Sequence, residues 1–392
     1  MTSFSAYVHL PYCVRRCPYC DFNTYAVRSI PEDRYIAALA AEIAAAAQAP
    51  SWNGRSIGTV FFGGGTPSLF SPASLGKVLT ALDQSFGLTS DAEVTMEANP
   101  GTLEGSAAER LRGWRERGIN RLSLGVQSFN EKHLATLGRL HGRREVFDAV
   151  QAARDAGFEN LSIDLIFAVP GQTRDEWRSD LNHALELATD HVSAYGLTYE
   201  PGTPMTGLRN AGRITPVLED CELEMLDDAC EVLGGAGLER YEISNFARPG
   251  KRSRHNLAYW LRDDYLGLGA GAHGFADERE PSPTGGGLRY ANRRFPEIYM
   301  GALGGKHAET NEVLDRRDAI SETVLLGLRL IEGIDLDRFR RRFGADPRHA
   351  LPSLDAMISG GLVEENETAF RLSDKGLRLA DSVISELCLS VP

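Results

Sequence analysis

The chain of 392 residues has no uncharged apolar run of the ~18 residues needed to cross a bilayer, and its start, Met1-Thr2-Ser3-Phe4-Ser5, lacks a basic segment followed by an apolar one. Neither stable membrane insertion nor secretion is expected, and the reading is a cytoplasmic protein. Basic residues are in deficit: 42 Lys and Arg against 54 Asp and Glu give a formal charge of −12, the wrong sign for a protein held mainly by nucleic-acid phosphates or anionic lipid. No nucleic-acid partner is expected. Cysteine is scarce, six in all, and Cys13, Cys17 and Cys20 fall within eight residues while Cys221, Cys230 and Cys388 stand alone. That is no disulfide framework, and in a cytosolic chain such a cluster points to metal or catalysis. With 42% hydrophobic, 24% charged and 8% aromatic residues, disorder, collagen-like repeats and coiled coil are excluded.

Over the first 200 residues short β-like runs alternate with helical stretches. Ser5–Leu10, Ile57–Phe62, Glu93–Glu97, Arg121–Val126, Leu161–Phe167 and Val192–Thr198 are rich in β-branched or apolar residues and are the expected strands. Ser29-Ile30-Pro31-Glu32 has the form of a capping box with proline in the first turn and opens an Ala-rich helix expected to run to Ala49. Ser71-Pro72 and Thr173-Arg174-Asp175-Glu176 open two more. Six β-then-α units argue for parallel strands joined by right-handed crossovers, in an open doubly wound sheet or a (β/α) barrel. In both, chemistry gathers beyond the carboxyl ends of the strands. The unusual residues fall there: Pro11-Tyr12-Cys13, Gly63-Gly64-Gly65-Thr66-Pro67, Glu97-Ala98-Asn99-Pro100 and Gln127-Ser128, with Asp164 inside the fifth strand. Any one of these is as well explained as a helix cap; five together are not.

After residue 200 come the loop signal Glu200-Pro201-Gly202-Thr203-Pro204, a helix over 218–233, and an aromatic, Gly-rich stretch, His255–Phe275. Pro281–Leu288 reads as a linker. From about Asp318 helices return, followed by alternating segments at 362–364 and 369–372 and a terminal helix, an order that suggests a small winged-helix-like unit. Its Arg338-Phe339-Arg340-Arg341-Arg342 run is expected to be a solvated helix face. The expected division is 1–200 as barrel core, 201–317 as extension and 318–392 as winged-helix-like domain.

Cys13-Val14-Arg15-Arg16-Cys17-Pro18-Tyr19-Cys20 has the spacing C-x3-C-x2-C. Three thiolates on one short loop can converge on a cubane iron-sulfur cluster, leaving one iron without a protein ligand and open to a substrate or cofactor. Zinc is the alternative, but a closed structural site needs four ligands, and His9 lies on the preceding strand with its side undetermined. A free-thiol redox motif would need only two cysteines.

This loop resembles the signature of the radical S-adenosylmethionine (SAM) enzymes. Tyr7-Val8-His9-Leu10-Pro11-Tyr12-Cys13, Gly63–Ser68, Gly125-Val126-Gln127-Ser128-Phe129 and Ile163-Asp164-Leu165 further resemble the branch that holds oxygen-independent coproporphyrinogen III oxidase (HemN) and the heme chaperone HemW. The resemblance implies an α/β fold, a partial (β/α)6 radical-SAM barrel with a C-terminal α+β extension, and a [4Fe-4S] cluster on Cys13, Cys17 and Cys20 whose open iron is chelated by SAM. It further implies SAM contacts at Tyr7 and Tyr19, at Gly64, Gly65 and Thr66 around the methionyl end, and at Glu97, Gln127, Arg139 and Asp164 around the ribose and carboxylate, with outer adenine contacts at Thr198 and Ala272-His273.

Two departures separate the chain from the oxidase. Phe22 stands where the oxidase has a fourth cysteine, and only 12 residues precede Cys13, where the oxidase carries a long cover. His255-Asn256-Leu257-Ala258-Tyr259-Trp260 matches the His-Asn-x-x-Tyr-Trp motif of HemW-like proteins, which implies heme near His255, Asn256, Tyr259 and Trp260, with Arg252 and Arg254 available to the propionates. The competing reading of His255 is a packed, hydrogen-bonded core residue. The resemblance also implies a heme acceptor protein and an electron donor such as flavodoxin or ferredoxin. The competing function is coproporphyrinogen oxidation through a SAM-derived radical.

Overall fold

The computed structural model describes residues 3–103, 107–277, 285–302 and 307–392. Six strands, β1 (Phe4–Leu10), β2 (Ile57–Gly64), β3 (Leu88–Ala98), β4 (Arg121–Gln127), β5 (Leu161–Phe167) and β6 (His191–Gly196), lie side by side in chain order and pair in parallel. Helices α1 (Glu32–Ala46), α2 (Pro72–Phe86), α3 (Ala107–Glu116), α4 (Arg143–Asp155) and α5 (Arg174–Glu186) cross between them. The outward residues of each strand are apolar and fully covered: Ala6 and Val8, Met96, Leu122 and Leu124, Ile163 and Leu165 pack in one core with Leu39, Ile43, Leu75, Leu82, Trp114 and Trp177. Each of these side chains larger than alanine contributes about 1.5–3 kcal/mol on burial. The inward positions alternate with them and, Phe61 apart, are mostly polar: Tyr7 and His9, Thr95 and Glu97, Ser123, Ser162 and Asp164, Ser193. A closed barrel of this type is usually filled by branched apolar side chains; here the inner face is left for polar contents.

The helix starts follow the sequence in two of three cases. Ser71 Oγ accepts from Ser74 N, and Thr173 and Glu176 form a reciprocal capping box. The box expected at Ser29 does not form: α1 begins at Glu32 after Pro31 without a side-chain cap, and ends at Ala46. Glu32 instead accepts from Ser71 N (2.8 Å) and Ser71 Oγ (2.7 Å), tying α1 to the start of α2.

Beyond residue 200 the same sheet continues on both sides. α6 (Glu219–Gly235) packs on α5, where Arg174 and Arg178 both bind Asp228. β7 (Asn245–Ala247) adds antiparallel to β6. α7 (Arg254–Trp260) leads to β8 (Tyr265–Leu268), which pairs in parallel with the outer edge of β1, Ser5 opposite Tyr265 and Val8 opposite Leu268. β9 (His273–Ala276), β10 (Gly285–Asn292) and β11 (Ala308–Asp315) extend that edge antiparallel. The linker expected over Pro281–Leu288 is corrected by this pairing. Gly285–Leu288 is strand, with Leu288 opposite Ala276 and Val313, because β9 and β11 together satisfy its backbone; Pro281–Thr284 lie outside the described residues.

The C-terminal unit has a hydrophobic core of its own, including Val324, Phe339, Leu354, Phe370 and Leu387. α8 (Arg316–Gly327), α9 (Leu336–Phe343) and α10 (Ala380–Leu389) surround a small sheet of β12 (Ile334–Asp335), β13 (Val363–Glu365) and β14 (Ala369–Leu372), in the order β12-β14-β13. The arginine run on α9 is only in part a solvated face. Arg340 is exposed and pairs with Asp346, whereas Arg338 binds Asp263 and Arg342 binds Asp277, so two of the arginines fasten the unit to the barrel. Among the described residues no helix is long and apolar enough to cross a membrane.

Candidate functional site

At the carboxyl end of β1 the chain turns through Pro11 into a loop closed by the parallel pairing of Tyr12–Cys13 with Tyr25–Ala26. Val27 N donates to Cys13 O (3.0 Å) and Cys20 N to Cys17 O (3.2 Å). This folding brings Cys13, Cys17 and Cys20 to one cavity of about 170 Å³ with Tyr19, Gly64, Gly65, Thr66, Glu97, Gln127, Arg139 and Asp164. Every candidate cluster position and every inner SAM position except Tyr7 therefore lines a common space, while the outer adenine candidates Thr198, Ala272 and His273 do not line it. Tyr7 lies deeper, in the chambers that adjoin this cavity at Glu97, and its hydroxyl bonds His9 Nδ1 (2.9 Å).

Local geometry explains the residue types. Gly65 runs against the cysteine loop, its N–H on Leu10 O (2.8 Å); a Cβ there would meet Tyr12 O at 2.6 Å. Gly64 has φ +110°, and a Cβ would meet the His9 ring at 2.4 Å. Thr66 Oγ1 donates to Cys13 Sγ (3.6 Å). Gln127 holds φ 70° at the end of β4, a backbone state costly to a residue with a Cβ and one that gathers at ligand sites. Arg139 Nη2 donates to Gly125 O (2.7 Å) and Nη1 to Cys17 Sγ (3.6 Å), while its Nε is buried without a partner among the described residues. An orphaned guanidinium donor beside the cavity is what a ligand carboxylate would satisfy.

Two carboxyls stand on the inner wall. Gly64 N donates to Glu97 Oε2 (3.1 Å), and Ser123 Oγ donates to Asp164 Oδ1 (3.1 Å). Burial, and then the neighbouring charge of Asp164, push Glu97 up to about 8; burial also raises Asp164. The pair carries a proton near neutral pH and can donate as well as accept hydrogen bonds, which suits ribose hydroxyls.

The donor set fits a cluster better than a single ion. Three thiols border the cavity, the number that leaves a four-iron cluster one open iron, whereas a closed structural zinc site takes four ligands. His9 is no fourth ligand: it faces the barrel interior, with Nδ1 on Tyr7 Oη and Nε2 on Asn23 O (2.9 Å each).

The His-Asn-x-x-Tyr-Trp residues lie on α7, which crosses the opposite, amino end of the strands. Arg254 N and His255 N donate to the Glu93 carboxylate (3.2 and 3.1 Å), using the helix N-terminus against a negative charge. His255 is 1% exposed, with Nδ1 on Thr59 Oγ1 (2.8 Å) and Nε2 on Tyr259 Oη (2.9 Å), and burial pulls it down to about 3. Both ring nitrogens are hydrogen-bonded here, to a strand hydroxyl and to a phenol on the same helix. His255, Asn256 and Tyr259 line a chamber of about 230 Å³. Trp260 lines a separate cleft against Arg338 and Phe339, so the four residues do not share one space. Arg252 is paired with Glu332 (2.7 Å) and Arg254 with Asp91 (3.1 Å).

A third cavity, of about 710 Å³, opens between the barrel and the β8–β11 wall; Ala272 and His273 line it with Tyr7, Phe22, Glu97 and Tyr265. Thr198 is exposed just beyond β6. Sequence reasoning missed Ser123 at the first cavity and Tyr265 at the third, and it placed Asn99 at a strand end without giving it a contact. The signal for Ser123 was available, as one of the polar residues recurring at period two along strands otherwise apolar.

A family profile described as the radical SAM superfamily matches residues 7–184, and one described as the HemN C-terminal domain matches residues 314–379. The heme chaperone HemW of Bacillus subtilis is 37% identical over 388 residues, covering 97% of both chains, and that of Escherichia coli is 36% identical over 386 residues, again 97% of both. Among solved structures, coproporphyrinogen III oxidase (HemN) of Escherichia coli, a radical SAM enzyme, superposes with a TM-score of 0.80 at 25% identity over 99% of this chain and 89% of that one. With more than a third of its residues shared along nearly the whole of curated relatives, the chain belongs to the HemW family of radical SAM proteins.

Proposed function

We propose that the protein is a cytoplasmic heme chaperone of the HemW type, which holds a [4Fe-4S] cluster and exchangeable SAM, binds heme and passes it to an acceptor protein. The observation that carries this reading is the likeness to HemW over 97% of the chain, supported by Phe22 at the place of the oxidase's fourth cysteine. We read the chain as a barrel core (1–200), an extension (201–317) and a winged-helix-like unit (318–392). Cys13, Cys17 and Cys20 would bind the cluster, which when reduced supplies an electron to SAM; the donor would be of the flavodoxin or ferredoxin class. Arg139 would fork onto the methionyl carboxylate through its unpartnered Nε, Gly64 and Gly65 admit the ligand by lacking a Cβ, and Glu97 and Asp164 hold the ribose.

The second reading, coproporphyrinogen oxidation, draws on the 0.80 TM-score to HemN. Parallel assays on anaerobically reconstituted protein separate the two. Brown cluster absorbance lost in each of Cys13→Ala, Cys17→Ala and Cys20→Ala, heme retention, and no protoporphyrinogen are expected; protoporphyrinogen formed with turnover would reject the chaperone reading.

A further inference from the structure

Eleven large apolar side chains are exposed among the described residues, and five of them, Val14, Phe22, Leu140, Phe295 and Ile298, lie on or beside the loop that carries the three cysteines. Each leaves more than half of its surface uncovered. Val14 and Leu140 border a small hollow with Cys17 and Arg139. On the other side the Phe295 ring lies 6.4 Å from that of Tyr25, and Ile298 follows on the short helix Pro296–Met300. Asn23 Nδ2 (2.9 Å) and Tyr25 Oη (3.3 Å) both donate to Arg294 O, which fastens this segment to the loop. Val14, Leu140, Phe295 and Ile298 stand outside the cluster cavity, on the outer face of the loop.

The charge of this face is opposite to that of the chain. Residues 13–28 hold Arg15, Arg16 and Arg28 against Asp21, a net +2 in a chain of formal charge −12. Arg15, Arg16, Arg28 and Arg294 are exposed and form no ion pair among the described residues, and Glu297 on the short helix is held by Arg34 (3.0 Å). Apolar side chains within a basic rim attract an acidic protein and speed its encounter. A second copy of the chain fits less well, because an isologous contact would set these arginines against their own counterparts. Position selects the kind of partner: Val14 follows Cys13 and Arg16 precedes Cys17, so a protein seated here stands next to the groups that would hold the cluster.

We propose that this face docks the electron carrier, an acidic one-electron protein of the flavodoxin or ferredoxin class, with Phe22, Phe295 and Ile298 under its apolar centre and the four arginines on its carboxylates. The assignment rests on the reading of Cys13, Cys17 and Cys20 as cluster ligands. An anionic flavin hydroquinone loses one electron to become the neutral semiquinone, or a reduced ferredoxin centre loses one, and the [4Fe-4S]2+ cluster takes that electron to become [4Fe-4S]+. No bond to this chain forms or breaks.

The test uses the full chain after anaerobic reconstitution. Binding of a flavodoxin and of a ferredoxin is measured by calorimetry in low salt, and reduction by flavodoxin hydroquinone is followed as stopped-flow bleaching of the cluster, with photoreduced 5-deazaflavin as a small neutral reductant. Arg15→Glu/Arg16→Glu and Arg28→Glu/Arg294→Glu, the second pair outside the cysteine stretch, should each weaken binding and slow reduction by flavodoxin about tenfold or more, an effect that ~0.5 M salt largely erases. The deazaflavin rate and the cluster absorbance should stay at wild-type values, and Arg341→Glu on the C-terminal unit should change nothing. Wild-type binding and rates in both pairs overturn the face. Equal slowing with deazaflavin shows that the arginines act on the cluster itself and overturns docking. Loss of a dimer in the variants with carrier binding unchanged gives the face to a second copy and overturns the proposal, as does a wild type that binds neither carrier. A wild type that takes up no cluster overturns the cluster reading and the face together, while heme retention, scored separately, decides the chaperone reading.

Discussion

Replacing Glu97 with glutamine should flatten the pH dependence of stability of the cluster-free protein. Glu97 sits on the inner wall of the barrel, where burial and Asp164 hold its carboxyl at about 8, against 4.5 for an ordinary glutamate. Between those two values the folded chain binds a proton that the unfolded chain has lost, so stability is fully present below pH ~4.5 and falls as pH rises through about 8. At ~1.36 kcal/mol per pKa unit the whole effect is on the order of 5 kcal/mol, and the part falling between pH ~6 and pH ~9 is roughly 2–3 kcal/mol. Polar groups and water in the adjoining cavity reduce it further. Urea unfolding followed by tryptophan fluorescence reports on the barrel, since Trp52, Trp114 and Trp177 are buried in its core. Wild type should lose about 2 kcal/mol more than Glu97→Gln between the two pH values. Equal slopes would mean that the carboxyl is ionised throughout, and the protonated pair would have to be abandoned.

Gly65→Ala should destabilise the fold by about 1–3 kcal/mol and abolish retention of the reconstituted cluster, because its Cβ meets the backbone of Tyr12 and Pro11 at 2.6 and 2.8 Å; Gly207→Ala, with nothing within 4 Å, is the matched control. Phe370→Ala removes a fully buried ring from the C-terminal core and should cost that unit about 3–5 kcal/mol, seen in calorimetry as an early transition with the barrel transition unmoved.

The barrel was legible because its signals are local. Apolar runs between helix starts such as Ser71 and Thr173 locate all six parallel strands, and the strand-end residues from Cys13 to Asp164 converge as a (β/α) architecture requires. What failed depends on partners distant in sequence. Gly285–Leu288 looks like a linker because nothing in its own composition announces that β9 and β11 will pair with it. Ser29 looks like a cap, but Glu32 finds a better partner in Ser71. The hydrogen bonds of His255 were not legible either, since Thr59 and Tyr259, which hold its nitrogens, include a strand residue nearly two hundred positions away.

The parallel pairing of β1 with β8 also sets an order of events during synthesis. β2 can reach one side of β1 early, but the other side waits for Tyr265–Leu268. At ~5–20 residues per second, the roughly 200 residues between β2 and β8 take on the order of 10–40 s to emerge. For that interval a strand as apolar as Phe4–Leu10 presents bare N–H and C=O groups, a template for intermolecular pairing. Chains stopped before residue 265 keep that template permanently, so truncation products should be found in inclusion bodies and nascent chains on holdase chaperones, while the barrel first becomes soluble on its own when the last wall strands are released.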